Sequence, residues 1–426
     1  MAQSVAPIRG INDILPDETR AWQWLEQAVR EVLQAQGYGE IRLPLMERTE
    51  LFARSIGEVT DIVEKEMYTF LDRNGDSLSL RPEATASCVR AGITHGLFHN
   101  QQQRLWYSGP MFRYERPQKG RYRQFHQMGA EAFGFVGPDI DAELILVCAR
   151  IWRRLGLDDL RLELNSLGTV ESRQVYRSLL VEYFRDHEAD LDEDSQRRLA
   201  QNPMRILDSK NPHMQALIGA APAITDHLDA ESSDHFAQLR ETLDEVGEGY
   251  LINPRLVRGL DYYSRTVFEW VTDRLGAQGA VCSGGRYDGL VEQLGGRATP
   301  AIGWAMGVER LVELLRGDKL VPEAPAPHVY LVPLGERAAR RTPALAEALR
   351  NDAPSLRLEL HCGGGGMRAR MKKADRSGAA FAMIVGDDEL TSETAVLKPL
   401  REDREQQSVP FAQLVAFLKQ ACTDLD

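Results

Sequence analysis

The sequence predicts a large α+β domain built on an antiparallel sheet with a helical insertion, followed by a small α/β domain. The chain has 426 residues, more than a single hydrophobic core usually supports, so two or three domains are expected. Residues 105–135 have the pattern of a long β-hairpin, which indicates an antiparallel sheet. Residues 321–328, VPEAPAPH, predict a stiff proline-rich linker, after which strand and helix patterns alternate.

The composition is that of a globular protein, with 43% hydrophobic and 27% charged residues. No apolar run approaches the roughly 18 residues that span a bilayer. The first residues lack the apolar centre of a secretory signal, so we expect a cytoplasmic protein that does not enter membranes. The net charge of −12 argues against a protein coated in nucleic acid, and any RNA contact must use local basic patches.

The N-terminal region predicts a long amphipathic helix. Trp22, Leu25, Val29 and Leu33 recur near helical spacing, and Gly37 provides a stop. The next residues, 41–43, predict a short strand closed by a proline.

The hairpin consists of two extended stretches, residues 105–114 and 123–135, joined by the charged turn ERPQKGRY. Residues from about 168 to 246 are rich in charge and helical spacing and predict the helical insertion. The sheet pattern resumes at 250–270 and at VCSGGRYDGLV. The stretch GWAMGVERLVELLR, 303–316, predicts a helix introduced by glycine.

The C-terminal domain, 326–426, has a βαβαβ pattern of VYLVPL, a helix over 336–350, LRLELH, a helix MRARMKKADR and AFAMIV. The chain contains neither a GxxxxGK[ST] phosphate loop nor a Rossmann GxGxxG after a strand. A bound nucleotide must therefore be held by side chains on the antiparallel sheet.

Strand alternation places Phe125, Gln127, Gly129 and Glu131 on one face of the hairpin. An aromatic ring, an amide and a carboxylate around a glycine suit a pocket for a small polar ligand, although a solvated sheet face is the alternative. Arg113 on the partner strand could bind phosphate through its planar guanidinium, or it could form a surface ion pair.

These segments resemble the histidyl-tRNA synthetases of the class II aminoacyl-tRNA synthetase family over essentially the whole chain. FRYERPQKGRYRQFHQMGAEAFG is similar to motif 2, IRLPLMERTELF to motif 1 with Pro44 as its marker, and GWAMGVERL to motif 3 with Arg310. LVRGLDYYSRTVFEW, CSGGRYDGL and RPEATA resemble segments particular to the histidine enzymes. HCGGGGMRARMKKADRSGA resembles their anticodon-binding domain.

The resemblance implies a class II catalytic domain over 1–325, with the insertion at about 168–246, and an anticodon-binding α/β domain over 326–426. It implies a homodimer formed partly through motif 1. It also implies that L-histidine and ATP form histidyl-adenylate and pyrophosphate, after which histidine is transferred to the 3′ end of tRNA(His).

The resemblance also assigns ATP-binding residues. Arg113 and Arg310 would hold the α- and γ-phosphates, and Phe125 would stack on adenine. Glu115 would contact the adenine amino group, and Arg121 would close over the outer phosphates. Mg²⁺ would neutralise the pyrophosphate, and its protein ligands are not assigned.

For histidine, the resemblance implies a set of residues around the ring, the amino group and the carboxylate. They are Glu83, Ala84, Thr85, Arg113, Gln127, Glu131, Arg258, Tyr262 and Tyr263. Arg258 would lie on the α-phosphate opposite Arg113, and these two are the expected catalytic residues. Two alternatives remain open from the residues alone: Tyr262 and Tyr263 could be core aromatics, and Glu83 could be a helix-capping acid.

Two basic segments are candidate tRNA contacts. Arg368 and Lys372 lie on a basic helix beside a glycine-rich loop, where they could contact anticodon bases or simply form a solvated face. In the motif 2 loop, Arg116, Gln118 and Arg123, together with Lys119, would face the acceptor end of tRNA.

Two rival functions fit parts of the pattern. A regulatory subunit of histidine biosynthesis resembles the catalytic domain, but it lacks the anticodon domain and catalytic positions such as Arg113, Arg258 and Arg310, which are present here. A class II synthetase for threonine, proline or glycine shares the general motifs but not LVRGLDYY and SGGRYDGL.

Overall fold

The computed structural model describes residues 5–56, 60, 62–118, 120–209, 211–257, 260 and 262–422. The chain forms two compact units, Met1–Pro322 and Glu323–Asp426, which are described separately. Within the described residues, no helix is both long enough and apolar enough to cross a membrane.

The first unit combines strands of two sheets with ten α-helices within its described residues. Its strands are β1 (Gly39–Glu40), β2 (Met46–Arg48), β3 (Thr69–Leu71), β4 (Ser77–Leu80), β5 (Gln103–Phe112), β6 (Gln124–Phe133), β7 (Arg161–Ser166), β8 (Tyr250–Ile252), β9 (Ser264–Val271), β10 (Ala280–Arg286) and β11 (Ala301–Gly307). Its helices are α1 (Pro16–Ala35), α2 (Thr49–Ile56), α3 (Thr85–Thr94), α4 (Asp139–Leu155), α5 (Val170–Asp186), α6 (Glu193–Gln201), α7 (Gln215–Ala220), α8 (Ala230–Val246), α9 (Leu290–Gln293) and α10 (Val308–Gly317).

The main sheet has eight strands in the order β1-β5-β6-β11-β10-β9-β7-β8. The pairs from β5 through to β7 are antiparallel, as predicted, whereas β1 and β8 add parallel edges. A separate sheet has the order β2-β4-β3. Helices α5 to α8 lie between β7 and β8, which confirms the helical insertion.

Helix α1 forms where the apolar spacing predicts it. Pro16 occupies its first turn, and the buried side chains include Trp22, Leu25 and Leu33. Gly37 follows the helix with a φ of 79°, a conformation that glycine adopts without strain. The buried face joins the core cluster that also contains residues of α4 and α10.

Two predicted elements were placed wrongly. Residues 41–43 are not a strand: β1 is Gly39–Glu40, and Ile41 only extends the pairing with one bond from its N–H to the Trp106 carbonyl at 2.8 Å. Residues 303–307 are not helical but lie in β11, where they pair with β6 on one edge and β10 on the other. Strands β6 and β10 hydrogen-bond with the backbone N–H and carbonyl groups of β11, so helix α10 begins only at Val308.

The second unit is a five-stranded sheet with helices. Its elements are β12 (Val329–Pro333), α11 (Glu336–Asp352), β13 (Leu358–Leu360), α12 (Met367–Arg376), β14 (Phe381–Val385), α13 (Asp387–Ser392), β15 (Thr394–Pro399), β16 (Gln407–Pro410) and α14 (Leu414–Ala421). The strand order is β13-β12-β14-β15-β16, with parallel pairing among the first three and antiparallel pairing beyond. The predicted βαβαβ pattern is confirmed, and an antiparallel pair extends it.

Candidate active site

The β5–β6 hairpin, β10 and β11 contribute residues to the walls of a cavity of about 290 Å³ in the first unit. The structure brings together there most of the residues that the sequence suggested for histidine and ATP. Those that line the cavity are Glu83, Thr85, Arg113, Glu115, Arg121, Phe125, Gln127, Glu131, Tyr262, Tyr263 and Arg310.

Glu131 is a buried carboxylate held by three hydroxyl groups. Its side chain accepts hydrogen bonds from Thr85 Oγ1 at 2.8 Å, Tyr107 OH at 3.0 Å and Tyr287 OH at 2.5 Å. Burial raises the pKa of Glu131 to about 7, and the three hydroxyls act against that rise by stabilising the ionised form. The carboxylate is therefore fixed in position and keeps acceptor capacity for a ligand N–H.

Two glycines make room for this arrangement. Gly129 pairs with Tyr107 across the hairpin, and a Cβ at residue 129 would come within 2.5 Å of the Tyr107 hydroxyl. Gly303 pairs with Glu131, and a Cβ there would overlap the Glu131 carboxylate. Gly129, between Gln127 and Glu131 on β6, therefore makes room for the Tyr107 side chain and does not enlarge the cavity.

Gln127 lies four residues before Glu131 on the same face of β6, as the strand alternation predicts. Its Oε1 atom is buried and has no hydrogen-bond partner among the described residues. Leaving a buried acceptor unsatisfied costs about 1–3 kcal/mol, so this atom calls for a donor from a ligand. An amide and a carboxylate together match a small ring that carries polar nitrogens.

Glu83 serves both roles that the sequence allowed. It accepts hydrogen bonds from the backbone N–H groups of Thr85 at 2.5 Å and Ala86 at 3.1 Å, at the start of α3, and it also lines the cavity. Burial raises the pKa of Glu83, against these hydrogen bonds. Ala84 lies in the hydrophobic core instead of the cavity wall.

The tyrosine pair is likewise both core and cavity wall. Tyr262 and Tyr263 belong to a buried hydrophobic cluster, with ring centroids 4.6 Å apart. Tyr262 packs edge-on to Tyr287, at a centroid distance of 5.5 Å. Burial raises the pKa of Tyr262, so its hydroxyl stays protonated as a donor.

The other end of the cavity is lined by arginines. Arg113 lies just after the end of β5, not within it, and its Nε donates to the Pro82 carbonyl at 2.9 Å. Its guanidinium carbon lies 5.2 Å from the centre of the Phe125 ring. Arg310 donates to the Ala280 carbonyl, and burial followed by repulsion from Arg121 and Arg113 lowers the pKa of Arg310.

Such a concentration of cations on a partly buried surface favours the binding of an anion. Arg121 is paired with Glu115, which is itself buried and lies 4.0 Å from Arg113. Glu115 therefore offsets part of the positive charge and holds the Arg121 side chain over the cavity. Within the described residues, no group of three or more His, Cys, Asp or Glu side chains could hold a metal ion.

The motif 2 loop residues differ in their surroundings. Arg116 and Gln118 are exposed. Arg123 instead packs on the Tyr114 ring, with its guanidinium carbon 3.8 Å from the ring centre, and donates to the Glu115 carbonyl at 3.2 Å. The side chain of Arg123 thus stabilises the loop within its own chain. Lys119, which the sequence placed with them, lies outside the described residues.

In the second unit, Arg368 and Lys372 are exposed on α12, one turn apart. The preceding loop contains Gly363 and Gly365, with φ values of 93° and 118°. Arg370 is tied back to this loop through a hydrogen bond from its Nε to the Gly365 carbonyl at 2.8 Å. The basic helix therefore presents some charges outward and uses another to fix the loop.

Arg258, the predicted catalytic arginine, lies outside the described residues. The sequence reasoning missed Tyr107, Tyr287 and Gly303 as parts of the site. Tyr287 lies in the CSGGRYDGL segment, which resembles a segment particular to the histidine enzymes. Tyr107 could have been found from its position opposite Gly129 in the predicted hairpin.

An antiparallel sheet with this cavity and a separate α/β domain define a class II aminoacyl-tRNA synthetase. Residues 10–311 match the family model described as histidyl-tRNA synthetase, and residues 328–421 match the anticodon binding domain. The chain belongs to the histidyl-tRNA synthetase family.

Curated relatives similar to the chain have the same family name. The chain is 60% identical to the histidine–tRNA ligase of Halorhodospira halophila over 417 residues, covering 98% of both chains. It is 57% identical to that of Hydrogenovibrio crunogenus over 424 residues, covering 100% of both. These full-length alignments leave no large segment of either protein without a counterpart.

Solved structures agree at the level of the whole chain. The apo histidyl-tRNA synthetase of S. aureus aligns with a TM-score of 0.81 at 36% identity, covering 98% of this chain and 100% of that one. A structure described as an ATP phosphoribosyltransferase regulatory subunit/histidyl-tRNA synthetase from Bacillus halodurans aligns with a TM-score of 0.64 at 22% identity, covering 91% and 99%. The second likeness concerns the fold alone.

Proposed function

We propose that the chain is a working histidine–tRNA ligase. A carboxylate oxygen of L-histidine attacks the α-phosphorus of ATP, which forms histidyl-adenylate and releases pyrophosphate. A hydroxyl at the 3′ end of tRNA(His) then attacks the activated carbonyl, which forms the ester and releases AMP. The observation that carries this proposal is one cavity with an acid and amide at one end and arginines at the other. Charging of tRNA for translation would place the protein in the cytoplasm.

At the histidine end, the proposed partners of the imidazole are Glu131 and the unsatisfied Oε1 of Gln127. Glu83 and Thr85, at the start of α3, would hold the amino group, and the Tyr262–Tyr263 pair would close the pocket. A site whose buried polar groups need ring nitrogens rejects amino acids lacking them by roughly 10⁴ to 10⁵, so no editing domain is needed.

At the nucleotide end, Arg113 would contact the α-phosphate, and Arg310 and Arg121 would contact the outer phosphates. Phe125 would pack against adenine, and Glu115 would accept a hydrogen bond from the adenine amino group. The proposal places Arg258 opposite Arg113, where it would stabilise charge at phosphorus as the histidine carboxylate attacks. Positioning and charge stabilisation supply most of the rate in such transfers.

Mg²⁺ would enter with the triphosphate as part of the substrate. The cavity offers scattered carboxylates rather than a cage of protein ligands, which suits an ion that keeps several waters and phosphate oxygens. When bound, the ion would neutralise charge on the pyrophosphate.

The proposed tRNA contacts lie on two surfaces, one in each unit. Arg368 and Lys372 on α12, in a unit that matches the anticodon binding domain, would contact the anticodon. Arg116 and Gln118 are exposed on the motif 2 loop and would contact the acceptor end. Because Arg123 is held by its own chain, we propose that it supports that loop in addition to its predicted RNA contact.

A homodimer is the proposed assembly. The segment that resembles motif 1 exposes Leu45 and Met46, and Phe70 and Leu71 are exposed on β3 of the same small sheet. Such clustered apolar side chains favour burial against a second copy. Sedimentation velocity should show a dimer that Leu71→Asp dissociates, whereas the control Val246→Asp on α8 should sediment like the unsubstituted chain. A monomer at micromolar concentration would contradict the proposal.

The proposed function is tested by ATP–pyrophosphate exchange against each of the twenty amino acids. Exchange should depend on histidine alone, because only its ring satisfies Gln127 and Glu131 together. Exchange stimulated by threonine, proline or glycine would instead favour another class II synthetase. A chain that binds histidine but catalyses no exchange would favour the regulatory function.

A further inference from the structure

A buried charged network lies behind the histidine pocket, built from Arg286, Asp141 and His235. Arg286, at the end of β10, and Asp141, on α4, are both 0% exposed, and His235, on α8, is 6% exposed. Burying charges costs several kcal/mol per ion unless they are paired and fully hydrogen-bonded. Even when such charges are fully paired, a buried ion pair adds little net stability, so a role in positioning accounts better for these three side chains.

The guanidinium of Arg286 is fully satisfied. Nε donates to Asp141 at 3.1 Å, and the Nη2 group donates to Asp141 at 2.5 Å and to the Gly137 carbonyl at 2.7 Å. Nη1 donates to the Phe135 carbonyl at 3.0 Å and to Asp288 at 3.2 Å. These bonds use all five N–H donors of an arginine, an arrangement that no other side chain can reproduce.

The acceptors belong to different parts of the fold. Phe135 and Gly137 follow β6, the strand that carries Gln127 and Glu131. Asp141 lies on α4, and its second oxygen accepts from His235 Nε2 at 2.8 Å, which attaches the insertion helix α8. Arg286 thus joins the exit of β6, the end of β10 and the insertion.

The residue after Arg286 is Tyr287, which donates its hydroxyl to Glu131. The backbone N–H of Tyr287 is fixed by the Ala301 carbonyl at 2.7 Å, and the same strand carries Gly303 against Glu131. Because β11 lies between β6 and β10, the Tyr287–Glu131 distance depends on the spacing across all three strands. Arg286 connects the end of β10 to the residues that follow β6 through its hydrogen bonds to the Phe135 and Gly137 carbonyls.

We propose that Arg286, held by Asp141 and His235, is a positioning residue for histidine selection. It fixes the spacing between β6 and the end of β10, so that the Tyr287 hydroxyl holds the Glu131 carboxylate in the orientation that accepts the ring. The inference rests on the proposed function and assigns a role to a residue that touches no substrate. Its effect falls on histidine recognition and leaves the arginine end of the cavity unchanged.

The test is steady-state ATP–pyrophosphate exchange with Arg286→Lys and Tyr287→Phe. Each should raise the KM for histidine about tenfold, as expected for a hydrogen bond to a charged group, while the KM for ATP changes less than about twofold. The double variant should be little worse than either single one, because both act through Glu131. Arg161→Met, which removes a surface pair with Asp273 on the same sheet, is the matched control and should change neither constant.

Equal changes in both KM values, a fall in kcat alone, or additive effects in the double variant would overturn the inference. If Arg286→Lys does not fold, His235→Gln is the variant that tests the inference, because its amide keeps a neutral donor toward Asp141. This variant should raise the KM for histidine by about threefold and leave the KM for ATP unchanged. An unchanged histidine KM in His235→Gln would also count against the network. Absence of histidine-dependent exchange in the unsubstituted chain would overturn the proposed function, and this inference with it.

Discussion

Glu131 on β6 and Gly303 on β11 face each other directly across the sheet, and the Glu131 carboxylate fills the space that a Cβ at residue 303 would need. The strand that resembles motif 3 therefore does more than lead into the helix that carries Arg310. Its glycine allows a buried acid to lie flat against the sheet, where Thr85 and Tyr287 reach it.

Gly303→Ala should disable histidine recognition. The added methyl group must displace the Glu131 carboxylate, so the KM for histidine should rise by about 10- to 100-fold while ATP binding persists. Steady-state exchange assays measure both. Gly39→Ala is the control, because a Cβ at residue 39 on the edge strand would lie 3.9 Å from its nearest neighbour. Equal kinetics of the two variants would contradict the packing described here.

Stability should depend on pH through Glu131. The pKa of Glu131 is raised by burial to about 7 from an ordinary value of 4.5, so the folded protein binds this proton more tightly than the unfolded chain. The stabilisation that this group provides is complete below about pH 4.5 and is lost as the pH rises through about 7. Between pH 5 and 8, the free energy of unfolding of Glu131→Gln should therefore rise relative to that of the unsubstituted protein, by about 3 kcal/mol at most.

Denaturant unfolding followed by tryptophan fluorescence measures this difference. All 6 tryptophans precede residue 322, so the signal reports the first unit alone. Glu245→Gln, at an exposed position of α8, controls for the loss of one charge. Parallel pH curves for the protein and Glu131→Gln would show that the carboxylate is not perturbed.

Arg258→Ala should slow adenylate formation far more than it weakens histidine binding. The reason is its proposed contact with the α-phosphate, where charge stabilisation by one group contributes about 10²- to 10³-fold. Single-turnover quench measures the chemical step, and calorimetry measures histidine affinity. Arg255→Ala, an exposed arginine three residues earlier, is the matched control and should behave normally. Equal losses in rate and affinity would refute the role.

Arg368→Glu combined with Lys372→Glu should impair tRNA charging without affecting exchange. Both side chains are exposed on α12, so reversal of their charges should not disturb the core of that unit. The kcat/KM for tRNA should fall by about tenfold or more, with a shallower dependence on salt. Charging kinetics across salt concentrations provide the measurement. Glu336→Lys on α11 is the control for altered surface charge, and unchanged charging by the α12 variant would remove this face from tRNA recognition.

Much of the site could be predicted because it rests on local periodicity. Alternation along β6 placed Gln127 and Glu131 together, and the apolar spacing of α1 and the βαβαβ pattern beyond the linker were confirmed. These features depend on residues that are neighbours in sequence.

The remainder depends on contacts between distant segments. Tyr287 and Glu131 are 156 residues apart, and their hydrogen bond follows from the strand order around β11. Residues 303–307 are apolar and glycine-rich, a pattern that fits either a buried strand or the start of a helix. They form a strand because β6 and β10 pair with them on both edges. Arg123 stays a predicted tRNA contact, and its packing on the Tyr114 ring and hydrogen bond to the Glu115 carbonyl come from the path of the loop, which the sequence pattern does not give.

The proposed function requires one cavity to hold an imidazole against Glu131 and Gln127 while Arg113 faces the innermost phosphate of a nucleotide. A crystal structure of the protein with histidinol and ATP tests it most directly. The ring nitrogens should lie within hydrogen-bond distance of the Glu131 carboxylate and of Gln127 Oε1, with the α-phosphate beside Arg113. An imidazole bound elsewhere, with Gln127 still unpartnered, would contradict the account.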